Sequence, residues 1–353
     1  MEAEPIQFLW RRYEERLEPA RVALARFVGA RPCDLAFVTN ATTGVNAVLR
    51  SIPLRRGDEI LTTSHDYNAC HNALIEAVRR TGAKLVVAQV PFPVGSADEI
   101  INAILKAVTR RTRLALIDHV TSATALVFPI AKLIRAMESR GIDVLVDGAH
   151  APGVVPLNLN RMRPAFYTGN LHKWVCAPKG AAFLWVREDL QSRMQPAVVS
   201  HGHNTPRPGY STFQNRFDWC GTFDPTAWLC VPEAIRWMEN TVSGGWSRVR
   251  EANRDLAIAA CRLLCKRLSV EPPCPESLMA AMATLPLPAH FQSRPRVGKI
   301  DPEQLWLYDT ARIEVPFFRA GEPLRRYFRI SAQIYNTLGD YEYLAETLLN
   351  PAA

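Results

Sequence analysis

Between Phe166 and Val186 the chain reads FYTGNLHKWVCAPKGAAFLWV. The runs 165–169 and 180–186 at its two ends are apolar and rich in aromatic and small residues, as short buried strands are. Between them stands Lys173, flanked by His172 and Trp174. A lysine beside so much apolar surface must reach water, find a partner or give up its charge.

Outward from this stretch the same grammar repeats. Upstream lie the strand-like runs LAFVT (35–39), EILTTS (59–64), KLVVAQV (84–90), RLALIDHV (113–120) and DVLVDG (143–148). Helical periodicity fills the gaps at 43–51, 69–80, 97–109 and 130–139, and a helix over 4–29, stopped by Gly29, precedes them. Such alternation predicts an α/β fold: a mainly parallel sheet of seven strands sandwiched by helices. Downstream, 190–230 turns irregular and aromatic, and helices follow near 226–240 and 246–268. Strands are expected within MAAMATLPL (279–287), ARIEVPFF (311–318) and YFRISAQIY (327–335), with a last helix from Asp340. We therefore expect a large domain over 1–240 and a smaller α+β domain over 241–353, with the 4–29 helix packing on the small one.

The 353 residues, 48% apolar and 22% charged, are enough for one large domain and a smaller one. No run of about 18 apolar residues occurs, so no membrane span is expected. The start, MEAEPIQFLWRRYEERLEP, is charged throughout and lacks a signal-peptide core, which points to the cytoplasm. Cysteines 33, 70, 176, 220, 230, 261, 265 and 274 are scattered without a ligand-spaced pair of pairs, so reduced thiols and no metal are expected. The net charge of +8 is spread along the chain, with no basic helix interleaved with aromatics. A nucleic-acid partner is not expected, and anionic small molecules suit the balance.

In open α/β sheets ligands bind beyond the carboxyl ends of the strands. At the first such end, NATTGVNAV places Thr42 and Thr43 at a helix start, where free N–H groups and the dipole hold anions. Gly44 belongs to no nucleotide-binding pattern. In DVLVDGAHAPG, Asp147 directly follows buried strand, where a carboxylate needs a partner, and His150 is near enough to face the same ligand. Lys173 follows another strand. A helix end for a phosphate, an acid for a protonated heterocycle and a lysine for an imine are the three needs of pyridoxal phosphate. Lys173 would then be held as an imine, and when released would shuttle protons as an amine.

With NATTGVNAVL, HDYNACHNAL, VDGAHAPG, TGNLHKWVCAPKG, WCGTFDPTA and FRISAQIYNTLGDYEYL in this order, the chain resembles class V aminotransferase-like pyridoxal-phosphate enzymes of fold type I. Within them it is most similar to the isopenicillin-N-epimerase-like branch with its cysteine-desulfurase-related C–S lyases. The resemblance implies that Thr42 and Thr43 bind the cofactor phosphate, with Asn170 and His172 close by. It implies that Tyr67 stacks on the pyridine ring and that Ser122 and His150 lie near its phenolic oxygen. Thr222 would reach the partner subunit's cofactor, which implies a homodimer whose interface would bury Phe217, Trp219 and Phe223. Arg329 would clamp the substrate carboxylate with its planar fork, while Arg325 and Arg326 would be solvated. Relatives carry an Asn-Gly-containing stretch ahead of EPIQFL that walls the substrate site. Desulfurases carry a mobile cysteine ahead of the arginine, and ARIEVPFFRAGEP has none, which disfavours persulfide chemistry. The implied activity is epimerisation or C–S lysis at Cα or Cβ of a cysteine-derived or peptide-like amino acid. The alternatives are a class V aminotransferase and, in a different class, a catalytically silent partner or regulatory subunit.

Overall fold

A computed structural model describes residues 1–292 and 300–350. Seven strands form the larger sheet: β1 (Leu35–Val38), β2 (Glu59–Thr63), β3 (Lys84–Ala88), β4 (Thr112–Asp118), β5 (Asp143–Asp147), β6 (Phe166–Asn170) and β7 (Ala182–Val186). Their order is β1-β7-β6-β5-β4-β2-β3. Only β7 runs against its neighbours, pairing antiparallel with β1 and β6, so the sheet is mainly parallel as expected.

Successive residues of a strand point to opposite faces, so a sheet covered on both sides needs apolar residues at every position. Phe37, Leu61, Ile117, Val146 and Phe183 point to one face, where the helices Tyr13–Val28, Ala97–Lys106 and Ile130–Glu138 lie. Val38, Ile60, Leu116, Leu145 and Leu184 point to the other, under the helices Ala41–Ser51 and Asn68–Thr81. Each fully buried side chain of this size contributes about 1.5–3 kcal/mol.

The N-terminal helix departs from expectation. It packs on the helix Val231–Thr241 and on β1, with Arg21 donating to the Leu35 carbonyl and pairing with Asp218, and Phe27 meets Trp246 of the helix Gly245–Leu268. Its buried stripe, Tyr13, Leu17, Ala20, Leu24 and Val28, joins the core on that face of the sheet. The aromatic stretch after 190 is also more ordered than the sequence reading allowed. A helix, Thr212–Asp218, opens on a capping box between Ser211 and Gln214. It buries Phe213 and Phe217 in the core, so Phe217 is not an interface residue. Trp219 and Phe223 pack on Tyr13 within the same chain.

The second sheet is antiparallel: β8 (Met282–Pro286), β9 (Phe317–Ala320) and β10 (Arg325–Ser331), in the order β8-β10-β9. The helices Gly245–Leu268 and Leu338–Leu349 close a core of its own around Leu264, Leu285, Phe328 and Leu344. Only the end of the run 311–318 is strand, because the helix Pro302–Ala311, started by Asp301 and a proline, occupies its beginning. That helix corrects the reading of Arg326. The residue is 2% exposed and pairs with Asp301 and Glu303, while Arg325 alone is solvated. Among the described residues no helix is long and apolar enough to cross a membrane, and no cluster of three or more acidic, histidine or cysteine side chains could hold a metal.

Candidate active site

The carboxyl ends of β4, β5 and β6 and the start of the Ala41–Ser51 helix enclose a cleft of about 610 Å³. Of the residues singled out in the sequence, Thr42, Thr43, Tyr67, Ser122, Asp147, His150, Asn170, His172 and Lys173 all line it. Thr222 does not, and it is exposed. Arg329 reaches the cleft wall from the second sheet, its guanidinium donating to the Ser122 carbonyl.

The helix start is fixed from both sides. Asn40 caps it by accepting from the Thr43 amide at 2.8 Å, and Asn170 of β6 accepts from the Ala41 amide at 2.8 Å. A methyl on Gly44 would overlap the Thr168 hydroxyl, so glycine lets the helix sit this close to β6. Thr42 lines the cleft in the first turn of this helix, and its hydroxyl has no hydrogen-bond partner among the described residues.

Asp147 ends β5 with its carboxylate between the Ala149 amide, 2.9 Å from Oδ1, and the Cys70 thiol, 3.1 Å from Oδ2. Burial and then Asp147 push the Cys70 thiol far above its usual range, so it donates as a neutral thiol. Lys173 Nζ lies 2.8 Å from His150 Nε2. Burial brings the Lys173 amine down to about 8, against the opposing charges of Asp147 and Asp118. Burial, with Lys173 and Arg329, holds His150 well below its ordinary range and therefore neutral. His172 is lowered chiefly by burial, and its Nδ1 is buried without a partner among the described residues. Arg329, brought down to about 10 by burial, has no acid partner among the described residues.

Several functional residues escaped the sequence reading. Asp118 is 4% exposed and stands opposite Asp147 in the β4–β5 pairing. Burial, then Asp147, hold its carboxyl well above the usual range. Both close an apolar strand with Asp, LALID and VLVD, and that shared ending was the available signal. Asn46 and Arg50 also line the cleft, at steps of four from Thr42 on one helix face.

These residues fit pyridoxal phosphate. A helix start with an unpartnered hydroxyl suits the phosphate, and Arg50 adds positive charge. A buried carboxylate suits the ring nitrogen, and a buried amine of lowered basicity suits the aldehyde.

The family model for aminotransferase class V matches residues 8–273. Isopenicillin N epimerase of Amycolatopsis lactamdurans is 36% identical over 364 residues, an alignment covering 99% of this chain and 88% of that protein. L-cysteine desulfhydrase of Arabidopsis thaliana is 28% identical over 378 residues, covering 98% of this chain and 81% of its own. Among solved structures, the cystine C–S lyase C-DES bound to cysteine persulfide superposes with a TM-score of 0.78 at 19% identity, over 96% of this chain and 87% of that one. A variant of that lyase, also at a TM-score of 0.78, carries glycine covalently linked to its pyridoxal-phosphate cofactor.

Proposed function

The chain belongs to the class V aminotransferase family, a group of pyridoxal-phosphate enzymes, and from that membership we propose an epimerase or C–S lyase acting on a cysteine-derived or peptide-like amino acid. The observation that carries the reading is the placement of Lys173, a buried amine of lowered basicity 2.8 Å from a neutral histidine on the cleft floor. Thr42, Thr43 and Arg50 would hold the phosphate, Asp147 the ring nitrogen, and Tyr67, which is 46% exposed at the cleft, one face of the ring.

When bound, pyridoxal phosphate supplies an aldehyde for the substrate amine and a ring that draws electrons from Cα. The chain's residues do the rest. Lys173 Nζ takes the proton from Cα and returns it, to the opposite face of the same carbon for epimerisation or to the departing sulfur for elimination. Asp147 would hold the ring nitrogen in its protonated form, with Asp118 beside it on β4. Arg329 holds the substrate carboxylate. Incubating the loaded protein with L-cysteine, L-cystine and a cysteine-containing peptide in deuterated water tests the reading. Sulfide and pyruvate release marks the lyase, and exchange with inversion at Cα marks the epimerase. Absence of both with every substrate would end the proposal.

Arg329→Lys keeps the charge and loses the fork, so KM is expected to rise about 10-fold or more with little change in cofactor binding, the cost of one charged hydrogen bond. Arg325→Lys, on the solvated neighbour, is the control and should leave KM unchanged. A larger KM change in Arg325→Lys than in Arg329→Lys would move the carboxylate site elsewhere.

We also propose a cytoplasmic homodimer. Thr222 is exposed and outside its own cleft, the placement required of a residue that serves a neighbouring subunit. Sedimentation is expected to show a dimer, and Thr222→Ala should weaken cofactor retention without dissociating it. A stable monomer that binds cofactor at full affinity would contradict this.

A further inference from the structure

Two hydrogen bonds on His150 fix more than its position. The Trp174 indole N–H donates to His150 Nδ1 at 3.3 Å, and His150 Nε2 faces Lys173 Nζ at 2.8 Å. A neutral imidazole has one N–H and one lone pair. With the Nδ1 lone pair taken by an indole, which can only donate, the proton must sit on Nε2. The Nε2–H then donates to the lysine nitrogen, whose lone pair is free only in the neutral amine. Trp174 is itself held in place: it is buried, and a Cβ on Gly153, at φ +85°, would come within 3.1 Å of the Trp174 backbone and side chain.

We propose that Trp174 is a positioning residue that locks His150 in the Nε2–H tautomer and through it presents Lys173 as a free amine. The lysine and the residue that sets its partner are neighbours in the chain, so one turn carries both. The proposal rests on the reading of Lys173 as the reactive amine and adds what tunes it. Four other charged or titratable groups act on that amine, and none of them hydrogen-bonds Trp174: Asp147 from β5, Asp118 from β4, Arg329 from β10 and Cys70 from the Asn68–Thr81 helix. Without the indole N–H, His150 is free to turn its lone pair on Nε2 toward Lys173 and to accept from the ammonium form instead. The amine then becomes more basic.

The test uses the apo protein, so it does not depend on cofactor capture. In protein labelled with ¹⁵N-histidine, the ring nitrogens of His150, assigned by their loss in His150→Gln, should report Nε2–H and a bare Nδ1. Reductive methylation with formaldehyde and cyanoborohydride, followed at Lys173 by peptide mass spectrometry against exposed Lys84, gives the titration midpoint of the amine. Trp174→Phe should raise that midpoint by about one pH unit, a roughly tenfold loss of free amine below it. An unchanged midpoint in folded Trp174→Phe overturns the proposal. Should that variant fail to fold, the parent decides: an Nδ1–H tautomer at His150 overturns it and Nε2–H supports it. A protein that passes both readouts yet never binds pyridoxal phosphate would instead sink the functional reading.

Discussion

Lys173→Ala is expected to give a folded protein that binds pyridoxal phosphate but no longer fixes it covalently. The Lys173 amine hydrogen-bonds one side chain, His150, so its loss breaks a single polar contact. Melting should therefore be close to that of the parent. Borohydride treatment should leave no cofactor on the variant, while the parent carries it on the 173 peptide. Turnover should fall by about 10²–10⁴-fold for the lost proton transfer alone, and further for the lost attachment. Cofactor fixed to another lysine, with turnover retained, would show that the assignment is wrong.

Asp147→Asn is the second large effect, and its pattern matters more than its size. The amide oxygen can still accept from the Ala149 amide, which bonds Asp147 Oδ1 at 2.9 Å, so the turn after β5 should survive. What is lost is the negative charge, and with it the hold on a protonated ring nitrogen. Cofactor affinity should drop by the worth of one charged hydrogen bond, about 1.5–3 kcal/mol. The rate should fall by on the order of 10²–10³-fold beyond that, because the charge acts where electrons accumulate during reaction. Equal losses in affinity and rate would mean that Asp147 only anchors. Equal turnover in variant and parent would remove it from the site.

Much of this was legible in the chain because strands and their polar ends are local signals. The seven strands of the large sheet, and the side chains that end them, follow from apolar runs broken by Asp147 or Lys173. What was not legible depends on pairing across the fold. Asp118 reads as a strand-ending acid until the β4–β5 register sets it beside Asp147. Arg326 reads as solvated like Arg325 beside it, because its acids, Asp301 and Glu303, lie on a separate helix. That helix and the Thr212–Asp218 helix did leave marks, Asp-Pro at one start and Ser-x-x-Gln at the other. Both were overshadowed by prolines and aromatics nearby. The Trp174–His150 contact has no sequence signal, since adjacency to Lys173 does not tell which way an indole turns.

Asp118, Asp147 and Thr168 stand abreast on three neighbouring parallel strands. Backbone ladders set adjacent strands about 4.8 Å apart whatever the side chains, so the spacing of the two acids works like a lattice constant. Lengthening a connecting helix or loop cannot alter it. The other walls of the cleft obey no such pitch: Ala197 comes from an irregular segment, and Ser122 is bonded by Arg329 from a different sheet. Inheritance is thereby split. A descendant of this chain can rewrite those walls while the two acids keep their spacing in the sheet.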